Sequence, residues 1–230
     1  MKNYLIIGAS SGIGKALSLE LAEAGNNVIG TYNSNKVEDS TNLKLHLLDV
    51  TTDFELDFIP EQIDGLVYCP GSINLKPFKR IPPESFQEDF NLQVLGAIKV
   101  IQKALPALQK SDTPSIVLFS TVAVQSGFNF HAQVSVSKGA IEGLTKSLAA
   151  EFAPKIRVNA IAPSLTDTPL ASKLLSTNEK REANANRHPL KRIGTVDDIA
   201  QSAAFLLSEK SSWITGQILH VDGGMSTLKI

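Results

Sequence analysis

Short runs of apolar residues recur along the chain, and the stretches between them have a helical period. The first run, at residues 4–7, precedes a glycine-rich loop and then a stretch with apolar residues three and four positions apart. Such runs are typical of strands buried on both faces, and the helical spacing is typical of helices that cover a sheet. We predict seven strands, at residues 4–7, 27–32, 44–48, 66–69, 115–119, 157–161 and 217–221.

Helices are predicted between these strands, at residues 13–24, as two successive patterns within 82–110, at 132–152, and from Thr195, where Asp198 completes a capping box. Residues 51–62 hold at most a short helix. Residues 165–192 have irregular polarity, and we interpret them as a mobile segment. Alternating strands and helices predict an α/β fold, a single Rossmann-type domain over residues 1–230 with a doubly wound parallel sheet.

The glycine-rich loop that follows the first strand predicts a phosphate site. It reads Gly8-Ala9-Ser10-Ser11-Gly12-Ile13-Gly14 and opens the first helix. A helix start has unpaired N–H groups and partial positive charge, and glycine lets a pyrophosphate approach the backbone. Ligands of such sheets lie beyond the carboxyl ends of the strands. We therefore expect one crevice lined by the residues that follow the strands, which are Gly8, Asp49, Gly71, Thr121 and Pro163.

Composition narrows the classes of partner. The 230 residues are 43% hydrophobic and 20% charged, with a formal net charge of −1, so the chain has no broad attraction for nucleic acid or an anionic membrane. The single cysteine, Cys69, excludes an intramolecular disulfide and fits a reducing cytosol. The first apolar run is too short for a signal peptide or membrane span, so we expect a cytoplasmic protein. The four histidines lack metal-ligand spacing, so we expect no metal.

The loop and four later segments, in this order, resemble the classical short-chain dehydrogenase/reductase family. Those segments are Asp49-Val50, residues 64–71, residues 159–163 with Thr168, and residues 213–224. The resemblance implies NAD(P) binding and oxidoreductase activity on a carbonyl or alcohol. The residues it implies for the cofactor are Gly8, Ser10, Ser11, Gly12, Ile13, Gly14, Tyr32, Asn33, Asp49, Val50, Pro70, Gly71, Lys138, Pro163, Thr166 and Thr168.

Three of these residues also have ordinary structural roles. Asp49 binds the adenine amino group in the family reading, and in the alternative it caps a turn or a helix. Thr166 and Thr168 bind the pyrophosphate or carboxamide, or they cap the next helix. The order of the motifs favours the cofactor in each case.

The cofactor preference depends on the end of the second strand. An acidic residue there would bind the ribose 2′-hydroxyl and repel a 2′-phosphate. Tyr32 occupies that position, and Ser11, Asn33, Ser34 and Lys36 can receive a phosphate. We therefore expect NADP rather than NAD.

The catalytic groups that the resemblance implies are only partly present. In the family a tyrosine four residues before a lysine gives the proton, while a serine and an asparagine complete the site. Lys138 matches the lysine, but Val134 occupies the tyrosine position. The family spacing places Thr121 at the serine and Gln93 at the asparagine, with Asn91 as the alternative in a shifted register. A positioned acid contributes about 10²–10⁴ in rate, so the usual mechanism is in question.

Other proton sources are a water in the space left by the ring, or His131, three residues before Val134, although a cap or packing role suits this histidine better. Two functions follow. The first is an oxidoreductase acting on an unknown small carbonyl or alcohol, and the second is a dinucleotide-binding sensor or partner subunit without that chemistry. Family members commonly assemble through the helices at 94–110 and 132–152 and the last strand, so we expect a homodimer or homotetramer.

Overall fold

The protein, seen in a computed structural model that describes residues 1–35 and 38–229, is built around one seven-stranded parallel sheet. The strand order is β3-β2-β1-β4-β5-β6-β7, so it reverses between β1 and β4. All seven predicted strands are confirmed, with ends that differ by at most two residues. Their bounds are Asn3–Ile7 (β1), Asn27–Tyr32 (β2), Leu43–Leu47 (β3), Gly65–Tyr68 (β4), Ser115–Phe119 (β5), Arg157–Pro163 (β6) and Ile218–Val221 (β7).

Helices cover both faces of the sheet, as the doubly wound prediction requires. Their bounds are Gly12–Glu23 (α1), Pro83–Phe90 (α2), Gly96–Gln109 (α3), Val122–Ser126 (α4), Ala132–Phe152 (α5), Asn178–Asn186 (α6) and Val196–Leu207 (α7). Apolar side chains of α1 and α7 form the core on one face, and those of α3 and α5 form it on the other. The capping box at Thr195 and Asp198 is confirmed. None of the helices described is both long and apolar enough to cross a bilayer.

A π-helical segment, Asn91–Leu95, joins α2 to α3 in one continuous helical path. It lies beside the end of β4, where the Tyr68 hydroxyl donates a hydrogen bond to the Leu92 carbonyl at 2.5 Å. A Cβ at Gly96 would lie 2.3 Å from that hydroxyl oxygen, so only glycine fits there. Such π segments often occur at functional sites. This segment contains Gln93, one of the predicted site residues.

The segment at 165–192, which the sequence led us to interpret as mobile, is largely helical. It contains a 3₁₀ helix at Pro169–Leu175 and the α6 helix, capped by the side chains of Thr168 and Thr177. Arg181 in α6 pairs with Asp167 at 2.6 Å. The α6 helix buries no residue, so its sequence has no apolar periodicity from which it could be predicted.

Candidate active site

A crevice of about 570 Å³ opens at the carboxyl ends of the strands, where the strand order reverses. Gly8, Gly71, Thr121 and Pro163 line it, as the sequence predicted. Asp49, the fifth residue of that prediction, does not belong to its lining. The crevice therefore lies where ligands of open α/β sheets bind.

The glycine-rich loop shapes one end of the crevice, which Ser10, Ser11 and Ile13 also line. Gly8 and Gly12 have φ angles of 81° and 52°, a backbone conformation that favours glycine. A Cβ at Gly14 would lie 2.2 Å from the Gly8 carbonyl oxygen, so the turn closes only with glycine at both positions. Ser11, which precedes α1, makes no side-chain hydrogen bond to the helix start. The first amides of α1 therefore remain available to an anion.

Only some of the residues predicted to bind the adenosine part of the cofactor line the crevice. Asn33, Ser34 and Asn35 line the crevice after β2, whereas Tyr32 and Val50 do not. Lys36 lies outside the described residues.

Asp49 has the turn role that the sequence left as an alternative. Its Oδ1 accepts hydrogen bonds from the Thr51 amide at 2.9 Å and from the Thr51 hydroxyl at 2.6 Å. These hydrogen bonds lower the pKa of the Asp49 carboxyl. The roles of Tyr32, Asp49 and Val50 in binding adenosine stay predictions.

The charges around the crevice favour an anionic ligand. Lys138 and Arg187 line it, and no aspartate or glutamate belongs to the lining among the residues that the structure describes. Pro70, Thr166 and Thr168 also line it. Thr168 accepts from the Ala171 amide as a helix cap, so its other predicted role, toward the carboxamide, stays a prediction.

Thr121, Val134 and Lys138 all line this crevice. Val134 and Lys138 are four residues apart on α5, so both face the crevice, and Val134 is 7% exposed. Thr121 follows β5, and its hydroxyl oxygen accepts from the Ala123 amide at 3.3 Å. That leaves its hydroxyl proton available to a ligand oxygen.

His131 precedes α5 and also lines the crevice. Its Nδ1 lies 2.8 Å from the carbonyl oxygen of Asn129, which can only accept, so Nδ1 carries the proton. Its ring packs edge-on against Phe128. Nε2 is therefore the atom that would exchange a proton with a ligand.

Burial changes the pKa values of two neighbouring groups. It lowers the pKa of the Lys138 amine to about 8, although the attraction of Asp89 opposes the shift. It raises the pKa of the Cys69 thiol to about 12. Cys69 is therefore protonated at neutral pH, which agrees with the inert role expected for a buried cysteine.

The structure shows a buried carboxylate that the sequence analysis missed. Asp89 in α2 is 4% exposed and accepts from both Gln93 Nε2, at 2.8 Å to each oxygen, and Ser137 Oγ, at 2.5 Å. Ser72 Oγ donates to it as well. Gln93 lines the crevice and Asn91 does not, which favours Gln93 as the counterpart of the family asparagine.

His188 and Arg187 are further crevice residues, and they come from the 165–192 segment that the sequence analysis interpreted as mobile. His188 is 2% exposed; its Nδ1 lies 2.8 Å from the Asn184 carbonyl and its Nε2 lies 2.8 Å from Ser164 Oγ. The Arg187 guanidinium lies 5.8 Å from the centre of the Phe128 ring. No periodicity in the sequence distinguishes the buried His188 from the exposed basic residues beside it.

The chain is similar to known proteins over almost its whole length. The sequence model of the family described as enoyl-(acyl carrier protein) reductase matches residues 8–226. The 3-oxoacyl-[acyl-carrier-protein] reductase FabG of Thermotoga maritima is 34% identical over 241 residues, which cover 97% of each chain.

Solved structures agree in fold. The ligand-free aldohexose dehydrogenase of Thermoplasma acidophilum superposes with a TM-score of 0.86 at 28% identity, covering 99% of this chain and 95% of that one. The structure of ElxO with NADP bound has a TM-score of 0.85 at 29% identity, covering 99% of this chain and 100% of the other.

Proposed function

Because the chain belongs to the short-chain dehydrogenase/reductase family, we propose that its crevice binds NADP and that the chain interconverts a carbonyl compound and its alcohol. One observation carries this proposal. A single crevice joins the helix start after the Gly8 loop to the polar end at Thr121 and Lys138. Phosphate binding and a site for a reacting oxygen thus lie along one ligand-sized groove.

The residues of the crevice fit the cofactor. The close approach of Gly8 and Gly14 leaves room for a pyrophosphate at the start of α1. Asn33 and Ser34 offer hydrogen-bond donors near the predicted ribose 2′-phosphate, and no carboxylate in the described lining repels it. When bound, the dinucleotide supplies or accepts the hydride. The ElxO structure with NADP bound supports the same preference in a protein of this fold.

The chain's own residues hold the reacting oxygen. Reduction builds negative charge on the carbonyl oxygen, which needs hydrogen-bond donors and a proton. The Thr121 hydroxyl and the Lys138 amine are two hydrogen-bond donors that line the crevice. Val134 shapes its wall and can donate nothing.

The alternative is a dinucleotide-binding protein without this chemistry, and Val134 is the observation that favours it. Both functions predict NADP binding, so turnover separates them. We would titrate the protein with NADPH and with NADH by fluorescence, and then follow NADPH oxidation against acetoacetyl-coenzyme A and a panel of aldehydes and ketones. We expect tighter binding of NADPH than of NADH and slow turnover of a panel member.

The variant Val134→Tyr restores the family tyrosine, and we expect it to raise turnover by about 10²–10⁴. NADPH binding with no wild-type turnover, and activity only in Val134→Tyr, would establish the binding-only function. Tighter NADH would overturn the NADP preference. If neither dinucleotide binds, both functions are wrong.

We also propose that the chain forms a homodimer or homotetramer. Val136 on α5 is 55% exposed, and Trp213, just before β7, is 99% exposed. These apolar side chains lie on the two surfaces that the family resemblance assigns to assembly. Sedimentation should give a dimer or tetramer, and Trp213→Glu should reduce its order. A monomer at micromolar concentration would contradict this proposal.

A further inference from the structure

Asp89 fixes the orientation of the Gln93 side chain. Because both Asp89 oxygens lie 2.8 Å from the same atom of the Gln93 amide, that atom must be the NH₂ group, since an oxygen there would face two acceptors. The amide oxygen, Oε1, therefore points away from Asp89.

Gln93 Oε1 lacks a partner although it is buried. It makes no hydrogen bond to any described residue. A Cβ built on Gly71 would lie 3.3 Å from this oxygen and 3.7 Å from Lys138 Nζ. The oxygen and the amine thus face one small space beside Gly71, at the wall of the crevice. A buried acceptor without a donor is costly, so this space suits a ligand or water that donates a hydrogen bond.

Lys138 Nζ likewise forms no hydrogen bond or ion pair within residues 1–35 and 38–229. The titratable groups that face it are Asp89 from α2 and Cys69 from the end of β4. His131, Arg187 and His188 line the same crevice. With valine at position 134, no phenol stands between the amine and the space for substrate.

This inference rests on the proposed function. We propose that Lys138 itself donates the proton to the carbonyl oxygen, and that Asp89 is the positioning residue that keeps Gln93 Oε1 beside the Lys138 amine. One N–H bond of the ammonium breaks, its electron pair stays on nitrogen, and an O–H bond forms on the substrate oxygen. The hydride pair reaches the carbonyl carbon from the reduced dinucleotide. The neutral amine then takes a proton from solvent.

The electrostatics suit this role. An acid works best when its pKa lies near the operating pH, and burial brings the pKa of Lys138 to about 8. Asp89 raises that pKa, so removing its charge should lower it. Gln93 Oε1 can accept from the ammonium through one water, and this contact orients the amine toward the crevice.

The first measurement is a direct titration of the amine. Full-length protein with ¹³C at the ε-carbon of lysine is titrated by NMR, with and without NADP, and Lys138→Arg identifies the resonance. We expect a midpoint near pH 8 that moves to lower pH in Asp89→Asn, whereas Lys146→Arg, an exposed control on the same helix, leaves it unchanged. A midpoint above 10, or one that Asp89→Asn does not move, overturns the proposal.

The second measurement is the pH profile of NADPH oxidation with the panel member that the wild type turns over. We expect kcat to fall as the pH rises through the Lys138 midpoint, and this limb should move to lower pH in Asp89→Asn. Lys138→Arg keeps the charge but donates poorly at neutral pH, so kcat should drop by about 10² or more while the dissociation constant for NADPH changes less than about tenfold.

The outcomes separate the two proposals. If Lys138→Arg keeps more than a tenth of wild-type kcat, Lys138 is not the donor, and the oxidoreductase function stands. If the wild type binds NADPH but turns over nothing while Val134→Tyr does, the oxidoreductase function fails and this inference falls with it.

Discussion

Replacing Asp89 by alanine removes the shared acceptor of three donors, two of them buried, and we expect it to lower the free energy of unfolding by about 3–5 kcal/mol. The donors are Ser72 Oγ, Gln93 Nε2 and Ser137 Oγ. A hydrogen bond to a charged group is worth about 1.5–3 kcal/mol. The free energy required to bury the Asp89 carboxylate offsets several kcal/mol of the summed energy of these hydrogen bonds. The net loss of stability in Asp89→Ala is therefore smaller than that sum.

Chemical unfolding measures this loss. For a chain of this size each kcal/mol corresponds to about 2–4 °C, so the melting temperature should fall by about 6–20 °C. Far-UV circular dichroism is the suitable probe, because Trp213 is 99% exposed and reports little on the core. Several protein concentrations separate folding from assembly.

Glu88→Ala is the matched control, because Glu88 is the exposed neighbour of Asp89 on the same helix. We expect it to change stability by less than about 0.5 kcal/mol. In a Ser137→Ala background Asp89→Ala should cost less, with a coupling energy of about 0.5–3 kcal/mol. A loss below about 1 kcal/mol for Asp89→Ala alone would refute the role of Asp89 as a stabilising acceptor for Ser72, Gln93 and Ser137, which together form the Asp89 cluster.

Three further predictions test other parts of the site and fold. Gly14→Ala places a Cβ 2.2 Å from the Gly8 carbonyl oxygen, so NADPH binding by fluorescence should be lost or weakened at least about tenfold; unchanged binding would show that the loop can open without cost. His131→Ala should keep kcat within about tenfold if Lys138 is the acid, and a loss of about 10² or more would make His131 the proton donor. Hydrogen bonds from Arg192 lower the pKa of the Asp198 carboxyl. Its contribution to the free energy of unfolding is therefore present above its pKa in the unfolded state, and is lost as the pH falls through its pKa in the folded state. Asp198→Ala should therefore cost about 0.5–2 kcal/mol at neutral pH in urea unfolding, and the difference from wild type should shrink in acid; a difference that persists in acid would contradict the linkage.

The sheet was predictable because its strands are buried on both faces and so read as continuous apolar runs. Leu5, Ile6, Val67 and Val117 are fully buried strand residues that produce this signal. The α6 helix lacked it, since its stability comes from the Thr177 cap and packing against the preceding turn rather than from an apolar face. Apolar periodicity indicates burial, so it cannot predict a helix that buries no side chain.

The candidate site was predictable where a motif is local. The glycine-rich loop is one short segment, and Val134 and Lys138 are four residues apart on one helix, so the family resemblance could identify them from short stretches of sequence. Asp89 was missed because its partners Ser72 and Ser137 come from distant parts of the chain. One signal was present: the buried stripe of α3, continued backward in steps of four from Ala97, passes through Gln93 and reaches Asp89.

The Asp89 cluster also bears on whether this crevice only binds a dinucleotide. Phosphate binding requires the glycine-rich loop and the start of α1, and the hydrogen-bond partners of Asp89, which are Ser72, Gln93 and Ser137, belong to neither. Burying the Asp89 carboxylate offsets part of the energy of the hydrogen bonds that it accepts, a cost that an apolar residue of similar volume would not carry. Gln93 Oε1, left without a donor, adds a further cost. A buried acceptor without a donor at the wall of a ligand space is typical of functional sites. The cost is thus concentrated at the end of the crevice where a proton would move, which favours chemistry there despite Val134.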